Sequence, residues 1–224
     1  MTVDLRGLDG TADFFFIRHG ESEANRAGVI QGREPSRLTD AGRDQARRAG
    51  EWFRGRTIGL VLSSPLARAR ETAELIAEVT EAGPVEIVDD LTEIDTGIFS
   101  GMSLEKAREE HPDEWMAFQA KSWEGVPGAE RIDQLLDRAG TTWARLTRLA
   151  GEGKRTVLCV THSGFMQWII RSTLGGRSWM PLLAGTGNCN VSHLRVTNAE
   201  QGDGSVAHMA TWLMINSPIL SPPH

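Results

Sequence analysis

Apolar and polar positions follow two rhythms along this chain. Unbroken apolar runs stop abruptly at polar residues in "FFFIRHGESEAN" (14–25), "TIGLVLSS" (57–64), "PVEIVDDL" (84–91) and "KRTVLCVTH" (154–162), which predicts four buried strands. Between them the apolar spacing is helical. Thr39 suits an N-cap for "LTDAGRDQARRAGEWF", where Ala46, Ala49, Trp52 and Phe53 share one face. Ser64 before Pro65 reads as a cap with proline at the first helical position, opening "SPLARARETAELIAEV". Ser103 would cap "SLEKAREEH", which Pro112 ends, and Asp113 would cap a further helix through Phe118. Within 129–150, Ile132, Leu135, Leu136, Ala139, Trp143, Leu146 and Leu149 form one stripe; "GFMQWIIRSTLGG" (164–176) ends at two glycines. "NVSHLRV" and "SVAHMATWL" alternate around "TNAEQGDG", which predicts a hairpin at one sheet edge.

Strands alternating with helices predict an α/β fold. The expected form is a three-layer αβα sandwich with a mostly parallel central sheet and an antiparallel edge strand. Active sites in such folds gather outside the carboxyl ends of the strands. His19 and His162 both stand at predicted strand C-termini.

Composition narrows the picture only a little. With 224 residues, 40% hydrophobic and 24% charged, the chain suits one ordinary globular domain over 1–224. A net charge of −6 disfavours a general binder of nucleic acid or anionic membrane, yet allows a local cationic pocket. "MTVDLRGLDG" lacks a basic-then-apolar leader pattern, no apolar run is long enough to span a membrane, and a cytoplasmic location is expected. Cys159 and Cys189 make no disulfide framework and are expected as reduced thiols.

Four segments beside predicted strand ends carry chemistry: "IRHGESEAN", "SSPLARARETA", "LTEIDTGIFSG" and "VTHSG". Phosphate-monoester cleavage is among the slowest uncatalysed reactions, and one proton transfer supplies only about 10²–10⁴ of the acceleration required. Most must come from positive charge and donors placed around the phosphoryl oxygens, and a histidine nucleophile divides the reaction into two steps. The four segments hold two histidines, several arginines, acids and an asparagine, and helix N-termini near 64–66 and 163–165 would add N–H groups suited to an anion. Taken singly each residue has a plainer reading. His19 is then a loop histidine, Arg68 part of a solvated face with Arg70 and Glu71, Glu93 or Asp95 a surface acid, and Ser163 a helix cap after a hydrogen-bonded His162.

Together and in this order, the segments resemble the histidine phosphatase superfamily, the phosphoglycerate-mutase-like proteins, over about Asp13 to Trp212. "RHGES" with Asn25 is similar to the family's N-terminal signature. The resemblance implies that His19 is the phosphorylated nucleophile and that Arg18 and Asn25 bind phosphate. "QG" at 31–32 and "LTDAGRDQA" match its next stretch. The "SSPLARARETA" match selects Arg68 over Arg70 as a phosphate ligand, and "LTEIDTGIFSG" selects Glu93 over Asp95 as the acid/base. "VTHSG" supplies His162, with the Ser163 N–H a further donor. No cofactor and no metal are implied. The expected partner is a phosphorylated small molecule, with no nucleic acid and no membrane; the edge hairpin could pair two copies into a homodimer.

Two departures bear on substrate choice. Ser100 stands where relatives often carry an acid, and "EPSR" places Arg33 and Arg37 near the mouth of the expected site, Arg37 as a solvated loop residue. A helical cap is expected at about 100–128. Mutase relatives carry a cation-rich insert there, whereas "EEHPDEWMAFQAKSWEGVPG" is acidic, with Lys121 its only lysine or arginine. That favours a phosphatase, with Trp115, Phe118 and Trp123 either walling its mouth or packing between helices. Phosphoglycerate-mutase-type transfer is the alternative, and an inactive binding relative ranks last because all four central residues are present. His111, His193, His208 and His224 lie outside any motif and are read as structural or exposed.

Overall fold

The "FFFI" run splits between two cores. It lies in β1 (Gly10–Arg18) of a computed structural model that describes residues 5, 8, 10–179, 185–200 and 206–219. Successive side chains of a strand point to opposite faces, so Phe14 and Phe16 enter one core while Phe15 and Ile17 enter the other. A strand apolar on both sides must be covered on both sides.

The remaining elements are α1 (Glu23–Arg26), α2 (Asp40–Phe53), β2 (Leu60–Ser63), α3 (Ala67–Thr80), β3 (Val85–Ile87), α4 (Leu104–Glu110), α5 (Pro112–Lys121), α6 (Ile132–Gly151), β4 (Thr156–Thr161), α7 (Ser163–Thr173), β5 (Val191–Glu200) and β6 (Val206–Ser217). The strand order is β3-β2-β4-β1-β5-β6. β3, β2, β4 and β1 are parallel, β5 runs against β1, and β6 runs against β5. The sheet is thus mostly parallel with an antiparallel edge. The apolar faces of α2 and α3 cover one side through Ala46, Ala49, Phe53, Ala69, Ala73 and Ile76. The α6 and α7 faces cover the other with Leu135, Trp143, Leu146, Phe165 and Trp168. Trp143 is buried edge-on to Phe14 and Phe16, and its indole N–H reaches Ile169 O and Ser172 Oγ, so its polar atom is satisfied inside the core.

Three expected boundaries shift. α3 begins at Ala67, not after a Ser64 cap, because the Ser64 hydroxyl is taken up in a turn by the Leu66 N–H and by His162. Pro112 is itself the first residue of α5, where a missing N–H costs nothing, so Asp113 lies inside the helix. His162, not Ser163, occupies the cap position of α7.

Residues 100–128 contain α4, α5 and a 3₁₀ turn at 122–125. Trp115 meets Phe118 and Phe118 meets Trp123 in tilted ring contacts, and Trp115 and Phe118 meet Phe99. All three rings therefore take part in packing this segment. β6 forms the sheet edge, with Met209, Leu213 and Ile215 exposed. The tip of the expected hairpin (201–204) and His224 fall outside the described residues. Among the described residues no helix is long and apolar enough to cross a membrane. Both thiols are buried; burial pushes that of Cys189 up to about 12 and that of Cys159 up as well, which keeps them protonated.

Candidate active site

Three adjacent parallel strands deliver the centre of the site. β2, β4 and β1 are neighbours, and their register sets Ser63 against Val160 and Arg18 against Thr161. The next residues, Ser64, His162 and His19, therefore leave the sheet side by side. The two imidazole centres are 5.0 Å apart, although 143 positions separate them in the chain (162 − 19). His19 N–H donates to Thr161 O at 3.0 Å, tying the two strand ends together.

His19 is 2% exposed and its protonation is fixed from both sides. Nδ1 lies 2.7 Å from Gly20 O, a pure acceptor, so this nitrogen carries the proton. Arg68 Nε donates to Nε2 at 3.3 Å, so Nε2 holds the lone pair. Burial first, then the positive charges of Arg68 and Arg18, push the ring's pKa well below 6.5. A neutral imidazole with its outer nitrogen unprotonated is a nucleophile.

The loop that holds His19 depends on two glycines. A Cβ on Gly20 would stand 2.4 Å from Gly42 O, and one on Gly42 only 2.1 Å from Glu21 O. Thr39 caps α2 by accepting from Gly42 N–H, so the start of α2 presses directly on "HGE". Thr72 of α3 accepts from Gly20 N–H and donates to Arg68 O, anchoring the residue whose carbonyl sets the His19 tautomer.

Arg68, in the first turn of α3, is 1% exposed. NH1 donates to Glu34 O and NH2 to Gly32 O, which uses three of its five N–H groups including the one on His19. Burial lowers its pKa to about 10, offset in part by Glu93, so it stays a cation. Arg18 ends β1 with NH1 on Thr186 O at 2.5 Å and its buried Nε without a partner among the described residues. Burial lowers Arg18 too, against the pull of Glu93. Arg70, by contrast, is exposed and paired with Glu74.

Glu93 sits against the N-terminus of α7. Its carboxylate accepts N–H groups from Ile94 (2.8 Å), Phe165 (3.0 Å) and Gly164 (3.2 Å). Two of the N–H groups expected for substrate phosphate at this helix N-terminus, those of Gly164 and Phe165, are thus taken by Glu93, which reaches them from the loop after β3. Gly164 permits the approach: a Cβ there would be 2.7 Å from Glu93 Oε1. Asp95 turns away, accepting from Gly97 N–H.

His162 is fully buried and neutral, lowered well below 6.5 by burial first and then by His19, Arg68, Arg18 and Arg138. Its Nε2 is 2.7 Å from Ser64 Oγ, while Nδ1 is buried without a partner among the described residues. Ser163 Oγ accepts from Thr186 N–H, whose carbonyl holds Arg18, so this hydroxyl acts on the site through Thr186. Asn25 is the third residue of α1; its Oδ1 accepts from Ser22 N–H and Asn188 Nδ2, which leaves its own Nδ2 as the donor.

His19, Arg68 and His162 therefore share one buried cluster, with Arg18 and Glu93 in electrostatic reach. The family model described as histidine phosphatase superfamily (branch 1) matches residues 14–203, a span containing all of them. The chain belongs to the histidine phosphatase superfamily. A protein named probable phosphoglycerate mutase GpmB from Salmonella typhi is 29% identical over 208 residues, covering 88% of this chain and 94% of that one. Its counterpart from Salmonella paratyphi B is 30% identical over 181 residues, covering 80% and 83%. Among solved structures, the mycobacterial glucosyl-3-phosphoglycerate phosphatase superposes with TM-score 0.78 at 24% identity, covering 92% of this chain and 99% of that one. The alpha-ribazole phosphatase from Shigella flexneri gives 0.77 at 23%, covering 95% and 100%.

Other residues of this histidine phosphatase superfamily member carry no local sequence signal yet brace the site. Glu130 receives Arg138 through two N–H groups, Arg33 NH2 at 3.0 Å and Asp95 N–H at 3.3 Å. Arg138 also donates to Asp90 O and Thr92 O, and Arg33 Nε to Glu93 O, so the backbone on both sides of the Glu93 side chain is pinned. Asn188 bridges Asn25 to His19 O. Apart from the Arg138–Glu130 pair, eight positions apart, these contacts join positions 35 to 169 apart in the chain, beyond the reach of local patterns. Arg33 and Arg37 are both exposed.

Proposed function

We propose that the protein hydrolyses phosphate monoesters of small molecules through a covalent phosphohistidine on His19. The observation that carries this reading is the tautomer of His19: a buried neutral ring whose unprotonated Nε2 faces a cationic guanidinium. When a phosphoryl group enters, its oxygens compete for the N–H groups of Arg68 and Arg18, the Asn25 amide and His162. The Nε2–P bond forms as the ester P–O bond breaks, and Glu93 gives its proton to the leaving oxygen. As carboxylate, Glu93 then takes a proton from water, whose oxygen attacks phosphorus and releases His19 and inorganic phosphate. Three backbone N–H groups hold the Glu93 carboxyl in place for both steps. Arg18 and Arg68 supply the positive charge in this scheme, with no metal assigned a step.

Phosphoglycerate-mutase-type transfer is the second reading, favoured by the names of the relatives at 29–30% identity. The acidic stretch 109–128, with Lys121 as its only lysine or arginine, supports hydrolysis instead: it offers little to retain a carboxylated acceptor. Phosphate release from an aryl phosphate in the presence of chelator tests the hydrolase. Conversion of 3-phosphoglycerate, primed with the bisphosphate, at a rate exceeding phosphate release would favour the mutase. Neither activity would leave a binding role.

A further inference from the structure

The two central imidazoles are given opposite tasks by their outer neighbours. We propose that Ser64 is a positioning residue which holds the ring proton of His162 on Nδ1, so that this ring meets the phosphoryl group as a hydrogen-bond donor. The inference rests on the phosphohistidine reading for its purpose, and on hydrogen-bond accounting for its substance.

Ser64 and His162 are both fully buried, and Ser64 Oγ stands 2.7 Å from His162 Nε2. That oxygen already accepts the Leu66 N–H at 3.2 Å. A serine hydroxyl has one proton to give, and among the described residues its only acceptor is His162 Nε2. If Nε2 carried the ring proton, two donors would converge on Oγ, and the hydroxyl proton would be buried without an acceptor. With the hydroxyl donating, Nε2 holds the lone pair and a neutral ring must carry its proton on Nδ1. Nδ1 is buried and has no partner among the described residues. A buried donor without a partner is costly to keep, and it is satisfied when an anionic oxygen arrives.

His19 shows the reverse arrangement, with its proton turned back onto Gly20 O and its lone pair outward. The contrast is what the chemistry needs. One ring must offer electrons to phosphorus, and the other, 5.0 Å away, must offer a proton to an oxygen of the same group. A lone pair on His162 Nδ1 would repel that oxygen. The strand order makes the device possible, because β2 and β4 end together and bring Ser64 to His162 across 98 positions.

Long-range ¹⁵N–¹H spectra of histidine-labelled protein test this, with the His162 signals assigned by their loss in His162→Asn. The wild type should show His162 protonated on Nδ1 and bare on Nε2. Ser64→Ala should move the proton to Nε2, or into exchange between the nitrogens. Its kcat for an aryl phosphate should fall about 10²-fold, the effect of one missing oxyanion donor, with KM changed less. Ser64→Thr, which keeps the hydroxyl, should restore both tautomer and kcat. A wild-type ring protonated on Nε2 would overturn the proposal even if Ser64→Ala failed to fold, and so would a Ser64→Ala protein that kept its proton on Nδ1. Absence of turnover in the wild type, with Nδ1 protonated as described, would instead strike the phosphatase reading and leave the Ser64 assignment standing.

Discussion

Arg68 Nε donates to His19 Nε2, the nitrogen assigned to attack phosphorus, at 3.3 Å. The guanidinium covers the lone pair of that nitrogen; in the proposed mechanism the same N–H groups turn to the oxygens of an entering phosphoryl group. Lysine at this position would keep the charge but lose the planar fork. Arg68→Lys should lower kcat/KM for an aryl phosphate by about 10²–10³. Steady-state kinetics check this, and near-wild-type kcat/KM would remove Arg68 from the phosphoryl site.

Glu93→Gln separates the two half-reactions. An aryl leaving group needs little protonation, so the first step should persist while water attack on the phosphoenzyme slows. Rapid-quench measurement should show a burst of product and accumulated phosphoenzyme. An alkyl phosphate should show neither, because its leaving oxygen requires the proton. Equal slowing of both substrates without accumulation would argue against Glu93 as acid and base.

Gly42→Ala tests the contact between α2 and the nucleophile loop. Its Cβ would fall 2.1 Å from Glu21 O, so backbone must move. Such overpacking costs roughly 1–3 kcal/mol, seen as a lower melting temperature, and activity should fall with it as His19 shifts. An unchanged melt and unchanged kcat would mean that the loop tolerates displacement.

Stability should fall with acid below pH 6.5. Both site histidines are neutral in the folded state, held well below that value by burial and by neighbouring cations. The unfolded chain takes up a proton on each near 6.5 and the native state does not, so stability is full above 6.5 and is lost as pH drops. Each ring contributes up to about 1.4 kcal/mol per pH unit in that window. Urea titrations across it should show this slope, and His162→Asn should remove one ring's share. Stability that rises toward acid would contradict the neutral assignment.

Much of this site was legible in the sequence because strands announce themselves. The apolar runs ending at Arg18–His19 and Thr161–His162 gave both the parallel sheet and the end at which chemistry gathers. Helix starts were less legible. Ser64 has the local features of a cap, yet its hydroxyl is claimed by an imidazole on another strand. The N-terminus of α7 looks like a phosphate cradle, yet Glu93 occupies it. Glu130, Arg138 and Asn188 have no pattern around them at all. Their partners are set by which loops the fold brings together, and a one-dimensional reading sees only neighbours.

The most direct test traps the covalent species. Protein mixed with an aryl phosphate, quenched in alkali and examined by ³¹P NMR and peptide mass spectrometry, should carry one phosphoryl group on Nε2 of His19. His19→Ala should carry none and turn nothing over. Phosphate release by the wild type with no such adduct, or with the group on any other residue, would contradict His19 as the nucleophile.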